Sequence, residues 1–181
     1  GWLMIAVGLW RLCRRLSLPI FFSIPVAVIW LVGIQYGNFA GEWVVGGIEA
    51  KVPAYGLVLL GLSEFVIRRW SWAWVWLGAA AAFHVLTGGW AVVAAMIAFF
   101  GTERFNSDKD SPRARFFSQG LIAGGLLSLF GLVPALGLTL EAAPADSTMA
   151  ARIYSYTRIR HHLLPGDFPL HWYLRHAVLV I

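Results

Sequence analysis

Basic residues in this chain fall in three short clusters separated by long apolar runs, and that alternation constrains the fold more than any other feature. Arg11, Arg14 and Arg15 form the first cluster, Arg68 and Arg69 the second, and Arg104, Lys109, Arg113 and Arg115 the third. Together they hold nine of the fourteen Lys and Arg residues, while 18–34, 52–67, 73–83 and 120–140 are nearly free of charge. Apolar runs of this kind match bilayer spans, and Lys and Arg collect in the short cytoplasmic loops between spans. The pattern predicts an all-α, polytopic transmembrane helical bundle with all three clusters on the cytoplasmic side. Its expected location is a bacterial inner (plasma) membrane, crossed several times.

Composition excludes the main alternatives. Charged residues make up 13% of the chain, against about 25% in a soluble domain, and the mean hydropathy is +0.71. A water-soluble domain is therefore not expected. The net charge of +5 would suit nucleic acid, but the cations flank apolar spans instead of lining one exposed face. Membrane lipids are the expected partners and nucleic acid is not. Cys13 is the single cysteine, so no internal disulfide can form.

The chain reads as one membrane-domain fragment over 1–181, truncated at both ends. Full spans are expected at 18–36, 52–67, 70–85, 88–101 and 117–140, with partial spans at 1–10 and 171–181. Outer segments are expected at 37–51 and 141–170. Pro25 falls inside the first full span, where neighbours would have to satisfy a freed carbonyl. The stretch 70–101 decides the sidedness. As one helix it would extend roughly 48 Å, far beyond a hydrocarbon core of roughly 30 Å. It would also put the second and third basic clusters on opposite sides. A break at Thr87-Gly88-Gly89 resolves both conflicts. Trp70, Trp72, Trp74 and Trp76 follow Arg68 and Arg69 directly and read as an interfacial aromatic belt.

With this orientation the outer side gathers most of the chemistry-bearing side chains. Glu49 and Lys51 sit where the first outer segment meets a helix, in GGIEAKVPAY. Glu49 is either a dipole-favoured acid with Lys51 as an interfacial snorkeller, or an acid at the mouth of a membrane cavity. His84 lies in AAAAFHVLTGGW, among residues small enough for close helix approach. It is either an interhelical hydrogen-bonder or the partner of Glu49 in proton transfer across an outward cavity. The segment ADSTMAARIYSYTRIRHHLLPGD carries Arg152, Arg158, Arg160, His161 and His162 on the side where topology does not require cations. Asp146 or Ser147 is expected to cap a helix running to about Leu163, and Pro165-Gly166 to end it. Arg forks suit phosphate oxygens, whereas an amphipathic helix resting on anionic headgroups is the plainer reading. The histidine spacing fits no zinc pattern and no metal is expected. No cofactor can be named. Glu64, the one acid inside a span, is accounted for by an i,i+4 pair with Arg68.

The strings EAKVPAYGLVLLGL and LGAAAAFHVLTGGW, with IYSYTRIRHH as a second block, resemble multi-span bacterial proteins similar to the GT-C superfamily of glycosyltransferases. The matching positions are Glu49, Lys51, Tyr55, His84 and Gly88, together with 153–162. The resemblance implies a GT-C-like helical membrane fold with an active site on the outer face. It also implies a polyprenyl-phosphate-linked sugar as donor. On that basis Glu49 and His84 are the expected catalytic residues. Lys51, Arg158, Arg160, His161 and His162 are expected to hold substrate phosphate. The alternatives are a transporter or flippase for an anionic lipid or solute, and a non-catalytic membrane scaffold.

Overall fold

The structure, a computed structural model, describes residues 1–37, 49–104, 115–158 and 160–180. It is all-helical, with no strand among the described residues. Helices run over Trp2–Arg15 (α1), Ser23–Gly37 (α2), Lys51–Val66 (α3), Trp70–Phe83 (α4), Val85–Arg104 (α5) and Gln119–Glu141 (α6). Pro144–Ile153 (α7), Arg160–Leu163 (α8) and Leu170–Val180 (α9) follow. Most of the first outer segment, 38–48, lies outside the described residues. Two compact units emerge: 1–24 with 48–135, and 25–47 with 136–181.

Helix boundaries move from their expected places for local reasons. Residues 20–22 form a 3₁₀ turn after Pro19, and α2 starts at Ser23. Pro25 therefore stands in a first turn, where its missing N–H has no intrahelical partner to lose. The first basic cluster lies on the last turns of α1 and not in a loop, where cations complement the negative helix end. The break after α4 comes at His84, in extended conformation with φ −148° and ψ 101°. It does not come at Thr87-Gly88-Gly89, which continue α5. Gly88 is there for contact: a Cβ on it would sit 2.1 Å from the Ala81 nitrogen.

In the first unit α1 and α3 run parallel. Gly1 meets Val52, Gly56 meets Met4, Gly8 meets Leu59, and Arg11 reaches Glu64. α3 and α4 are antiparallel neighbours, with Phe65 against Trp70 and Gly61 against Leu77. α4 and α5 form an antiparallel hairpin from Gly88 on Ala81 to Trp70 on Phe99, 4.7 Å between ring centroids. α6 lies parallel to α4, as Gly120 meets Ser71, Gly124 meets Trp74 and Gly131 meets Ala81. These directions bring Arg11–Arg15, Arg68–Arg69 and the end of α5 to one end of the unit. Phe116 packs there too, 5.4 Å from Phe99 and 5.8 Å from Trp74.

Two kinds of packing hold the unit. Around Trp70, Trp74, Leu77, Ala95 and Phe99 an aromatic cluster fills the basic end, where each edge-to-face pair adds about 0.5–1.5 kcal/mol beyond area burial. Trp70 and Trp74 are thus core residues and not belt anchors, while Trp72, on the opposite face, is 56% exposed. Elsewhere glycines let backbones touch. A Cβ on Gly124 would lie 2.2 Å from the Trp74 carbonyl oxygen, and one on Gly78 would lie 2.0 Å from that of Gly124. The Ser71 hydroxyl accepts the Gly120 N–H at 3.1 Å across the same seam.

That seam makes adjacent glycines unequal. Gly124→Ala has to push backbone apart and is expected to cost about 1–3 kcal/mol. At Gly125, where an added Cβ meets nothing within 4 Å, Ala should be neutral or stabilise by up to about 1 kcal/mol through helix propensity. Thermal unfolding of the two variants followed by circular dichroism checks the difference; equal midpoints would contradict the seam.

Candidate functional site

Both expected catalytic residues lie at the end of the first unit opposite the arginines. Glu49 precedes α3, and its carboxylate pairs with the Lys51 ammonium at 2.9 Å. The Lys51 side chain is 10% exposed and that of Glu49 47% exposed. A lysine in the first helical turn opposes the helix dipole, and the neighbouring carboxylate offsets that cost locally. His84 is half-buried between α4 and α5. Its Nδ1 accepts the Thr87 backbone N–H at 3.1 Å and lies 2.9 Å from the Thr87 hydroxyl. This is an N-cap on α5: the side chain three residues before Thr87 satisfies one of the orphan N–H groups of the first turn. Accepting that bond places the ring proton on Nε2. Antiparallel packing of α3 and α4 brings Glu49 and His84 to the same end, as expected, yet each makes its polar contacts with a close neighbour in sequence.

The cationic segment divides its arginines between two states. α7 opens on Pro144 at its first position, two residues ahead of the expected Asp146 cap. The helix then widens to a π turn over Tyr154–Arg158 before α8. Such widenings frequently mark functional positions. Arg152 and Arg158 are exposed, and no carboxylate pairs with them among the described residues. Arg160 instead clasps Asp167 through two donors: Nε bonds Oδ2, and Nη2 bonds Oδ1 at 3.0 Å. The Tyr173 hydroxyl donates to the Pro165 carbonyl at 2.6 Å, and Phe168 packs on Trp172. Residues 160–173 are thereby folded into a clip. The hydrogen bond from Arg160 holds the Asp167 carboxyl below its ordinary range, and the same bond raises Arg160. The side chains of His161 and His162 lie outside the described residues. Among the described residues no three His, Cys, Asp or Glu side chains gather as a metal-binding group.

At the basic end the structure replaces one expected pair with two others. Glu64 does not take Arg68; its Oε1 accepts from Arg11 on α1. Arg68 turns instead to Glu103, bonding Oε1 at 2.8 Å and Oε2 at 2.9 Å. Trp70 Nε1 adds a third hydrogen bond to that carboxylate at 3.1 Å. Helical spacing alone favours the i,i+4 partner, but Glu64 points into the α1–α3 seam and is 1% exposed, out of reach of a side chain at the helix end. The clue was its isolation in an apolar helix, since a buried carboxylate requires a cation from somewhere.

Two measurements follow from these contacts. Arg11→Ala leaves the Glu64 carboxylate buried without its cation and should cost about 3–5 kcal/mol, whereas Arg11→Met with Glu64→Leu should recover most of the loss; thermal melts of the single and double variants decide it. The clip around Asp167 should depend on acid. Because the folded carboxyl titrates below the unfolded one, at about 3.9, its contribution is complete above that value and is lost as pH falls through the lower, folded one. Amide exchange at 164–168 should therefore accelerate in strong acid, and already at neutral pH in Asp167→Asn. Unchanged protection in that variant would show the clip held by other contacts.

No protein-family model, curated protein or solved structure matches this chain.

Proposed function

We propose that this chain is a multi-pass membrane protein that binds a phosphate-bearing lipid at its 152–160 segment, within the outer segment 141–170 expected from the sequence pattern. The observation that carries the membrane reading is the inversion of ordinary packing. Leu86, Trp90, Ile97 and Phe100 on α5 and Ile122, Leu126, Phe130 and Val133 on α6 are exposed, while Lys51, Ser63 and Glu64 are buried. Helices of the length and apolarity of α5 and α6 also occur in soluble cores, but there they are mostly buried. Here 17% of the apolar stretch of α5 and 6% of that of α6 are buried. Exposed apolar surface on this scale supports a bilayer as its surrounding.

Arg152 and Arg158 support the phosphate reading, because guanidinium forks with no carboxylate partner among the described residues, beside Tyr154 and Tyr156, fit an anionic headgroup and its first carbons. Within this reading the chemistry implied by the GT-C resemblance is sugar transfer from a polyprenyl-phosphate donor. On the resemblance alone, Glu49 and His84 are the candidates for acid–base groups, and Lys51, Arg158, Arg160, His161 and His162 the candidates for phosphate contacts. Catalysis there would rest on positioning and charge stabilisation at the leaving phosphate.

Cysteine labelling tests the sidedness. On a Cys13→Ser background, Thr148→Cys should react with an impermeant maleimide from outside, and Gln119→Cys only after permeabilisation. Reaction of Gln119→Cys from outside would refute the orientation. Arg152→Ala with Arg158→Ala should weaken binding to vesicles containing polyprenyl phosphate by roughly tenfold or more, the effect of losing charge-assisted hydrogen bonds. Equal binding would remove these residues from the site. Conversion of a labelled polyprenyl-phosphate sugar supports transfer, whereas movement of the lipid with unchanged mass supports flipping.

A further inference from the structure

The first unit contains a cleft of about 660 Å³ between α3 and α5, at the basic end. Val58, Leu62 and Phe65 form one wall, and the alanines of α5 from Ala91 to Ala98 form the other. Arg68 and Thr102 close its end. We propose that this cleft holds one acyl chain of an anionic phospholipid from the cytoplasmic leaflet, with the lipid phosphate over Arg68 and Arg69. The inference goes beyond the outer phosphate site and shares with it only the membrane reading.

Depth, polarity and charge all select this occupant. From Ala91 to Thr102 the cleft runs roughly 16 Å along α5, at about 1.5 Å per residue. That is about half of a hydrocarbon core of roughly 30 Å. A transmembrane helix from a second copy would need a groove of the full height; a lipid tail needs one leaflet. The alanine wall offers no hydrogen-bonding group, and the Thr102 hydroxyl at the end is spent on the Ala98 and Phe99 carbonyls. The tail therefore meets only carbon until it reaches the arginines.

Charge fixes the headgroup. Glu103 neutralises one guanidinium by its two bonds to Arg68. Arg69, between the two lining residues Arg68 and Trp70, is exposed and has no carboxylate partner among the described residues. Among the described residues the Arg69 guanidinium is thus left without a carboxylate at the mouth. Arg68 also has φ 56°, a left-handed conformation that costs a non-glycine residue about 1–2 kcal/mol. Three bonds onto Glu103, from Arg68 and Trp70, hold it there and keep the cationic turn at the rim of the cleft.

Native mass spectrometry of the chain, extracted from vesicles of equal phosphatidylglycerol and phosphatidylcholine, reads the occupant directly. One retained phosphatidylglycerol per chain is expected, at least tenfold over phosphatidylcholine. Ala94→Phe with Ala98→Phe should fill the cleft and abolish retention, both positions being exposed and outside the core. Arg69→Gln should keep a lipid but lose the preference for the anionic one. Retention unchanged in the filled variant, or preference unchanged in Arg69→Gln, overturns the proposal, as does loss of self-association in place of lipid. Should the filled variant not fold, a photoactivatable phosphatidylglycerol on the native chain decides: crosslinks within 58–68 and 91–102 support the site, and crosslinks elsewhere overturn it. A chain that does not partition into the vesicles at all refutes the membrane reading instead.

Discussion

Backbone contact between α4 and α6 is the constraint from which the rest of the first unit follows. Gly78 and Gly124 can touch only because neither carries a side chain, and the contact fixes how far apart the two helix axes lie. With α6 seated on one face of α4, the Trp70–Trp74 face is left to α3 and α5, where the aromatic cluster forms. The same device recurs where Gly8 and Gly56 bring α1 onto α3. In an apolar surrounding, close approach of this sort supplies dispersion contact that a hydrophobic driving force cannot.

Charged groups do a different task at each end. At the basic end Glu64 and Glu103 draw cations from other helices, so that α1 is tied to α3 and the start of α4 to the end of α5. At the opposite end Glu49 and His84 are satisfied by Lys51 and Thr87, within a few residues of themselves. The first arrangement links elements; the second finishes helix ends. One Glu64 oxygen and the Trp74 indole nitrogen nevertheless remain buried without a hydrogen-bond partner among the described residues. Each such group costs about 1–3 kcal/mol, which marks the basic end as the place where packing has taken precedence over polar satisfaction.

Much of this was legible in the sequence because it rests on period and sign. The helices at α3, α4, α5 and α6 and the antiparallel link through Arg68–Arg69 follow from run length and cluster spacing, as does the existence of a return after α4, although it comes at His84 and not at the expected Thr87-Gly88-Gly89. What could not be read is what depends on rotation about a helix axis. Spacing alone does not say that Trp70 and Trp74 face inward while Trp72 faces out, nor that Glu64 chooses Arg11, 53 positions away. Gly88 illustrates the same limit: a glycine reads equally well as a turn or as a contact, and only the proximity of Ala81 separates them. In the candidate site, the grouping of Glu49 and His84 at one end was readable, whereas the capping role of His84 depended on knowing that α4 stops at Phe83.

The parallel pairing of α1 with α3 carries a consequence for the order in which the unit assembles. Neighbours joined by a hairpin can dock as soon as the second is made, but parallel neighbours cannot. The chain between Arg15 and Lys51 must first carry the strand of synthesis back to the end from which α1 began. Until α3 is complete, the Gly8 face of α1 has no mate and Arg11 has no carboxylate. The α4–α5 hairpin, closed by a single residue at His84, faces no such wait. Assembly is therefore expected to nucleate in the middle of the chain, with the first helix joining an already folded hairpin and not serving as its template.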